Sequence, residues 1–254
     1  MAIAEGSYAA RARDWRNAMH AAVCDVIEPW AHGTIARAGR YPTYYDFNVL
    51  RVEDDVALEL PELAAAAEEA LDGLAHRRVD FDIARRGAAL RGDFEAAGWK
   101  TTSLVWMLHE GVRPDATTEV LVEEVDYDET EALRLSWHLE DNADLEYEQY
   151  RLAAKEVAMA KDPSVLIVRD ETGEPIAFTQ VQWDGGSAEV NSVYVHPDHR
   201  GRGLGTAITT AAIAAAGRAE DLWIVADQED RAKDLYARLG FRTVWTTIEF
   251  LRLV

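Results

Sequence analysis

Val193-Tyr194-Val195-His196-Pro197-Asp198-His199-Arg200-Gly201-Arg202-Gly203-Leu204-Gly205-Thr206 is the stretch on which the reading of this chain turns. A β-branched apolar run through Val190, Val193 and Val195 stops at Pro197. A loop with three glycines in five residues follows, and then the helix-forming stretch 206–216. The pattern reads as strand, anion-binding loop and helix. Glycines let the backbone approach a ligand closely, and the free N–H groups and dipole at a helix start favour phosphate oxygens. The spacing fits neither the dinucleotide Gly-x-Gly-x-x-Gly loop nor a Gly-Lys-Ser/Thr loop. A plain strand-to-helix turn would leave the same glycines, so their surroundings have to separate the two readings.

About thirty residues downstream stands Ala232-Lys233-Asp234-Leu235-Tyr236-Ala237-Arg238-Leu239-Gly240-Phe241, a short helix that carries a tyrosine and closes on Gly-Phe. This helix and Arg200-x-x-Gly203-x-Gly205 resemble, in order and distance, the two signatures of the GNAT superfamily of N-acetyltransferases. The resemblance covers residues 117–254. It implies that the backbone of Val193, Tyr194 and Val195 and of the loop Arg200, Gly201, Arg202, Gly203, Leu204, Gly205 and Thr206 holds acetyl-CoA as cosubstrate, with Arg200 and Arg202 adding positive charge. It also implies a strand splayed from its neighbour at a bulge, where the pantetheine arm enters. Tyr236 matches the family's general acid near the cofactor sulfur; the other reading is a tyrosine on the buried face of a short helix. Glu189 stands where several members carry a general base, and a solvent-facing strand carboxylate is the alternative. Strand alternation places Glu189 on one face with Asn191 and Val193, and Asn191 could orient the acceptor or a water. One departure is Glu229, with Asp227 nearby, where members often have an asparagine seven residues before the tyrosine.

Acetyl transfer to an amine requires the amine to lose a proton, the carbonyl to be held beside it and the departing thiolate to be protonated. For the acceptor, the stretch from Trp137 to Tyr150 holds five acids and three aromatics without lysine or arginine. Trp137, Glu146, Tyr147 and Tyr150, with Asn191, are its candidate acceptor contacts. Acids and aromatic faces suit an ammonium; the same residues would also form an ordinary solvated helix junction.

The 254 residues suit one large domain or two small ones, and the formal net charge of −20 argues against nucleic acid, whose phosphates need a basic face. Cys24 is the single cysteine, which excludes an internal disulfide. His196 and His199 lack ligand-spaced partners, so no metal is expected. Neither a membrane span nor a targeting segment is read, and the expectation is a cytoplasmic monomer or homodimer acting on a small-molecule amine.

Periodicity predicts a helix over 7–28, a strand within 41–52, helices over 61–75 and 87–97, and strands over 79–83 and 101–109. The order recurs in the second half. Phe94-Glu95-Ala96-Ala97-Gly98-Trp99-Lys100-Thr101 lies against Tyr236-Ala237-Arg238-Leu239-Gly240-Phe241-Arg242-Thr243, and Phe47-Asn48-Val49-Leu50-Arg51-Val52 against Val190-Asn191-Ser192-Val193-Tyr194-Val195, at nearly the same interval. In place of the glycine loop the first copy has Asp54-Asp55-Val56-Ala57-Leu58-Glu59-Leu60-Pro61, and in place of Tyr236 it has Phe94. The fold class expected is therefore α/β: two GNAT-like units in tandem with mixed, mainly antiparallel sheets flanked by helices. Residues 1–114 form a degenerate structural copy and 115–254 the catalytic one. This layout resembles mycothiol synthase, which offers transfer to an amino-sugar thiol conjugate as an alternative. An acyl-CoA sensor without turnover is another.

Overall fold

The computed structural model describes residues 3–4, 6–113, 120–141 and 147–254. The expected boundary at residues 114 and 115 lies outside these. The elements in order are α1 (Tyr8–Ala21), β1 (Val26–Trp30), β2 (Gly33–Arg37), β3 (Val49–Val52), α2 (Leu60–Ala70), β4 (His76–Phe81), α3 (Ala84–Ala96) and β5 (Lys100–His109). There follow β6 (Glu123–Val125), α4 (Glu131–Asp141), α5 (Tyr147–Met159), β7 (Ser164–Arg169), β8 (Pro175–Asp184), β9 (Ser187–Val195), α6 (Leu204–Ala215), β10 (Asp221–Asp227), α7 (Ala232–Arg238) and β11 (Phe241–Leu253). Packing divides them into two compact units. One holds Met1–Met107, Ala226–Lys233 and Thr243–Val254; the other holds Leu108–Val225 and Asp234–Arg242.

In the first unit, β1, β2 and β3 form an antiparallel meander, β3 and β4 run parallel across the α2 connection, and β11 pairs antiparallel with β4. The helix predicted over 7–28 is shorter than its periodicity suggested. Ser7 caps α1 by accepting from the Ala10 N–H, the helix ends at Ala21, and residues 26–30 form a strand instead. Val23 and Ile27 continue the helical spacing, yet Ile27 is 46% exposed and has no core to meet. Tertiary pairing with β2 wins over local period. The hairpin closes at Gly33, where a Cβ would lie 2.3 Å from the Arg51 carbonyl oxygen, so only glycine allows the two backbones to approach.

The two faces of this sheet differ in chemistry. Leu50, Val52, Val79, Phe81, Ile248 and Phe250 pack with Leu63 and Ala67 of α2 and with Phe94 of α3. Phe94 stacks on Phe250 with centroids 3.9 Å apart. A Cβ at Gly87 of α3 would lie 2.8 Å from the Ile248 Cβ, which shows how closely helix and sheet meet. Each large apolar side chain buried here contributes about 1.5–3 kcal/mol. The opposite face carries Arg51, Asp80 and Glu249 in one row across β3, β4 and β11. Arg16 of α1 donates to Asp82 at 2.5 Å, and Arg78 contacts Asp46, Asp80 at 2.9 Å and Glu249 at 2.8 Å. Three carboxylates share one guanidinium, and two of them, Asp80 and Glu249, are largely shielded from water while Asp46 is exposed, so the shielded pair cannot both stay charged cheaply. Burial pushes Glu249 up to about 8 in spite of Arg78.

In the second unit, β6, β7, β8 and β9 pair antiparallel in turn, and α6 carries the chain to β10, which lies parallel to β9. Leu133 of α4 packs with Ile167, Phe178 and Tyr194 on one face of the sheet. The fold is thus mixed α/β with a mainly antiparallel sheet and flanking helices. One order of elements occurs twice: β1-β2-β3-α2-β4-α3-β5, then β7-β8-β9-α6-β10-α7-β11. Among the described residues, no helix is long and apolar enough to cross a membrane.

Candidate active site

The loop after β9 has the shape its glycines suggested. A short 3-10 turn, Pro197–His199, leads to Gly201 at φ 76° and Gly203 at φ 80°. Left-handed backbone of this kind costs other residues about 1–2 kcal/mol. A Cβ at Gly201 or Gly203 would meet nothing within 4 Å, so the loop borders open space on that side. Gly203 is the N-cap of α6 and offers no capping side chain. The first bond into the helix runs from Ala207 N–H to the Gly203 carbonyl at 3.0 Å, which leaves the N–H groups of Leu204, Gly205 and Thr206 without helical acceptors. These are the groups that suit a phosphate.

The strand feeding the loop departs from its neighbours twice. Between Gln180↔Asn191 and Phe178↔Tyr194, β9 has one residue more than β8, and Ser192 lies in that extra space at φ 58°. This is a β-bulge. On the other side, the parallel pairing of β9 with β10 is registered only from Ser187 to Val190. Residues 191–195 continue with that edge not taken up by β10.

The bulge decides which side chains share a face. Glu189 and Asn191 lie together as alternation implied, with Asn191 Nδ2 donating to Glu189 Oε1 at 3.1 Å. Val193 does not join them, because the extra residue reverses the alternation and brings Tyr194 to that face, opposite Phe178. Glu189 is not a solvent-facing carboxylate: its residue is 7% exposed. Beside it lie Gln182, its partner across the ladder, and Gln180, whose Oε1 accepts from Arg134 at 2.9 Å. Sequence reasoning missed these two glutamines, although polar residues at alternate positions of an apolar strand were a readable signal.

Tyr194 contributes backbone to the strand, but its ring lies in the α4 core, stacked on Trp137 with centroids 5.7 Å apart. Its hydroxyl donates to Glu140 at 2.5 Å and lies 2.8 Å from Ser136 Oγ. Burial, reinforced by the Glu140 carboxylate, pushes it up to about 12. Trp137 also neighbours Phe178, so it packs α4 onto the sheet. Tyr147 and Tyr150 flank the buried His138 at 5.2 and 5.0 Å, and Glu146 lies outside the described residues. Arg200 reaches away from the loop glycines: Nε donates to the Val195 carbonyl at 2.9 Å and Nη2 to Glu140 at 2.7 Å. Arg202 donates to the Asp198 carbonyl at 3.2 Å. Burial raises the Glu140 pKa, but the bonds from Tyr194 and Arg200 outweigh it and hold the carboxyl below its usual value.

Tyr236 is buried on α7 with Phe241 edge-on at 6.3 Å. Its neighbour Leu235 touches the loop: a Cβ at Gly205 would lie 3.5 Å from Leu235 Cδ2 and 4.0 Å from Val195 Cγ2. The helix that carries the tyrosine, the start of α6 and the end of β9 therefore meet at one place.

Residues 161–243 match the family model for an acetyltransferase (GNAT) domain. That stretch of the second half is thus a GNAT-type acetyltransferase domain. Over 96 residues it is 38% identical to a mycothiol acetyltransferase of Clavibacter sepedonicus, covering 36% of this chain and 31% of that protein. An uncharacterized N-acetyltransferase of Methanocaldococcus jannaschii is 32% identical over 107 residues, or 38% of this chain and 47% of the relative. The chain thus matches about a third to a half of the length of these relatives. Its GNAT fold extends further. A GCN5-related N-acetyltransferase from Kribbella flavida superposes over 96% of this chain and 95% of its own, with TM-score 0.61 and 17% identity. A conserved protein of unknown function from Staphylococcus epidermidis covers 91% and 94%, with TM-score 0.69 and 14% identity.

The GNAT features of the second half can be compared with their counterparts in the first. The registered pairing of β3 with β4 runs to Val52, the end of β3, and Asp82 N–H extends it by donating to the Val52 carbonyl at 3.0 Å. No register shift interrupts β2 and β3. At the start of α2, Glu59 and Glu62 form a reciprocal capping box that occupies the N–H groups there. Where the second half has an open strand edge and an uncapped helix, the first has a closed ladder and a helix start filled by its own carboxylates.

Proposed function

We propose that this protein is an acetyl-CoA-dependent N-acetyltransferase with a single active site in its second half, acting on a primary amine of a small molecule by direct attack. The observation that carries this reading is the conjunction, within one unit, of an uncapped α6 start, an open β9 edge beyond a bulge, and a tyrosine helix packed against both. The first half lacks the opening and the free helix start, which supports a tandem of one active and one structural copy.

In this reading the N–H groups at the start of α6 hold the diphosphate, and the β9 edge from Asn191 to Val195 holds the pantetheine arm. Bound acetyl-CoA supplies an activated acyl group. The amine nitrogen forms a bond to the thioester carbonyl carbon as the carbon–sulfur bond breaks. Glu189 takes the proton from the amine, directly or through water, and Tyr236 gives one to the departing thiolate. Asn191 holds the Glu189 carboxylate in place and orients the acceptor. Tyr147 and Tyr150, with Glu146 and the acids of their segment, favour a cationic acceptor. The likeness to mycothiol acetyltransferases favours a second reading of the acceptor as an amino-sugar thiol conjugate.

Calorimetric titration of acetyl-CoA, followed by a screen of amines for CoA thiol release, tests the proposal. One site per chain and release with at least one amine are expected. Two sites would contradict the asymmetry of the halves, binding without turnover on any amine would leave a sensor, and no binding would remove the enzyme reading.

A further inference from the structure

Arg200 is the first residue of the glycine loop, and a carboxylate from a different element already holds it. Glu140, near the C-terminal end of α4, bonds Arg200 Nη2 through one oxygen and the Tyr194 hydroxyl through the other, at 2.7 and 2.5 Å. Tyr194 is in turn tied to Ser136 of α4 and stacked on Trp137. The Arg200 side chain is 51% exposed and that of Glu140 is 32% exposed, so the ion pair lies within reach of a ligand at the loop. One carboxylate thus ties the cofactor loop, the end of β9 and the helix bordering the acceptor segment.

We propose that Glu140 is a positioning residue that competes with the cofactor's diphosphate for Arg200, so that cofactor binding and the freeing of one Glu140 oxygen are one event. This rests on the function proposed above. The pair neutralises Arg200 in the free protein and places a negative charge where the phosphates must approach. When a diphosphate reaches the α6 start, like-charge repulsion acts on Glu140 and the guanidinium gains a doubly charged partner. Arg200 then exchanges one anion for another. Glu140 keeps the Tyr194 hydroxyl and presents its second oxygen on the α4 side, where it can attract an ammonium. Binding in the order cofactor then amine follows, because the carboxylate is engaged until the cofactor arrives.

The test is calorimetric titration with CoA of the full chain and of Glu140→Gln, Arg200→Gln and the double variant, with melting temperatures recorded for each. Loss of the competing charge should tighten CoA binding about three- to tenfold in Glu140→Gln. The gain should vanish in the Arg200→Gln background, which a merely structural role of Glu140 would not produce. Equal or weaker binding by Glu140→Gln beside measurable binding by the wild type would overturn the competition and leave the proposed function standing. A gain that persists without Arg200 would also overturn it, as repulsion alone would then be at work. No CoA binding by any of the four proteins would overturn both readings.

Discussion

Replacing Gly203 by alanine and by aspartate should split two quantities that usually move together. Both substitutions force a side chain into left-handed backbone at φ 80°, and a Cβ there meets no atom within 4 Å. The cost is therefore conformational, about 1–2 kcal/mol. Alanine recovers nothing. Aspartate can accept from the uncapped N–H groups of α6, which gains a few tenths of a kcal/mol over glycine, and its charge favours the helix start by about 0.3–1 kcal/mol. The aspartate variant should hence melt within about 2–4 °C of the wild type, and the alanine variant lower. Affinity should run the other way. A carboxylate about 5 Å from a phosphate charge repels it by about 3 kcal/mol at an effective dielectric of about 20, and screening at this exposed loop halves that. N–H groups occupied by the aspartate withdraw about 1 kcal/mol more. Acetyl-CoA affinity should thus fall about a hundredfold in Gly203→Asp and only a few-fold in Gly203→Ala. Calorimetry and thermal melts on the same samples read both quantities. Equal losses of affinity in the two variants would refute the assignment of this helix start as the diphosphate site.

Tyr236→Phe should lower kcat by about one to two powers of ten while acetyl-CoA affinity barely changes; unchanged turnover at saturating substrates would remove the tyrosine's catalytic role. Glu189→Gln should flatten the acidic limb of the rate's pH profile and lower the rate, and an unaltered profile would exclude Glu189 as the base. Glu249 offers a test in the first unit. Its folded-state pKa of about 8 exceeds the ordinary 4.5 of a glutamate, so the folded chain keeps a proton that the unfolded chain has lost. That contribution to stability is complete below about pH 4.5 and declines as pH rises toward 8. Melting temperature should fall between pH 5 and 8, with a shallower fall in Glu249→Gln; equal slopes would mean that the carboxyl stays ionised beside Arg78.

Local chemistry made much of the site legible. The glycines at 201 and 203 announce their backbone because few other residues tolerate it, and the helix of Tyr236 announces its end through Gly240 at φ 95°. In the first half, the alternation of strands and helices from residue 41 onward could be read from contiguous residues. The strand at 26–30 could not, since Val23 and Ile27 continue a helical stripe and only pairing with β2 overrules it. Nor could the position of Trp137: an aromatic in an acidic segment looks like a ligand contact until Tyr194 is found beneath it.

By itself, the sequence determined the likeness to the GNAT domain, the glycine loop and the tyrosine helix, because each depends on the conformational preferences of a few adjacent residues. Tertiary structure decided the rest. The bulge at Ser192, which reverses alternation and places Tyr194 rather than Val193 beside Asn191, depends on the register of β9 against β8. The open β9 edge depends on where β10 stops pairing. The hold of Glu140 on Arg200 joins residues sixty positions apart, and β11, last in the chain, packs in the first unit through its ladder with β4. All of these are pairings between separate segments, most of them far apart in the chain, and such pairings are settled by which surfaces meet in three dimensions and not by the preference of any one stretch.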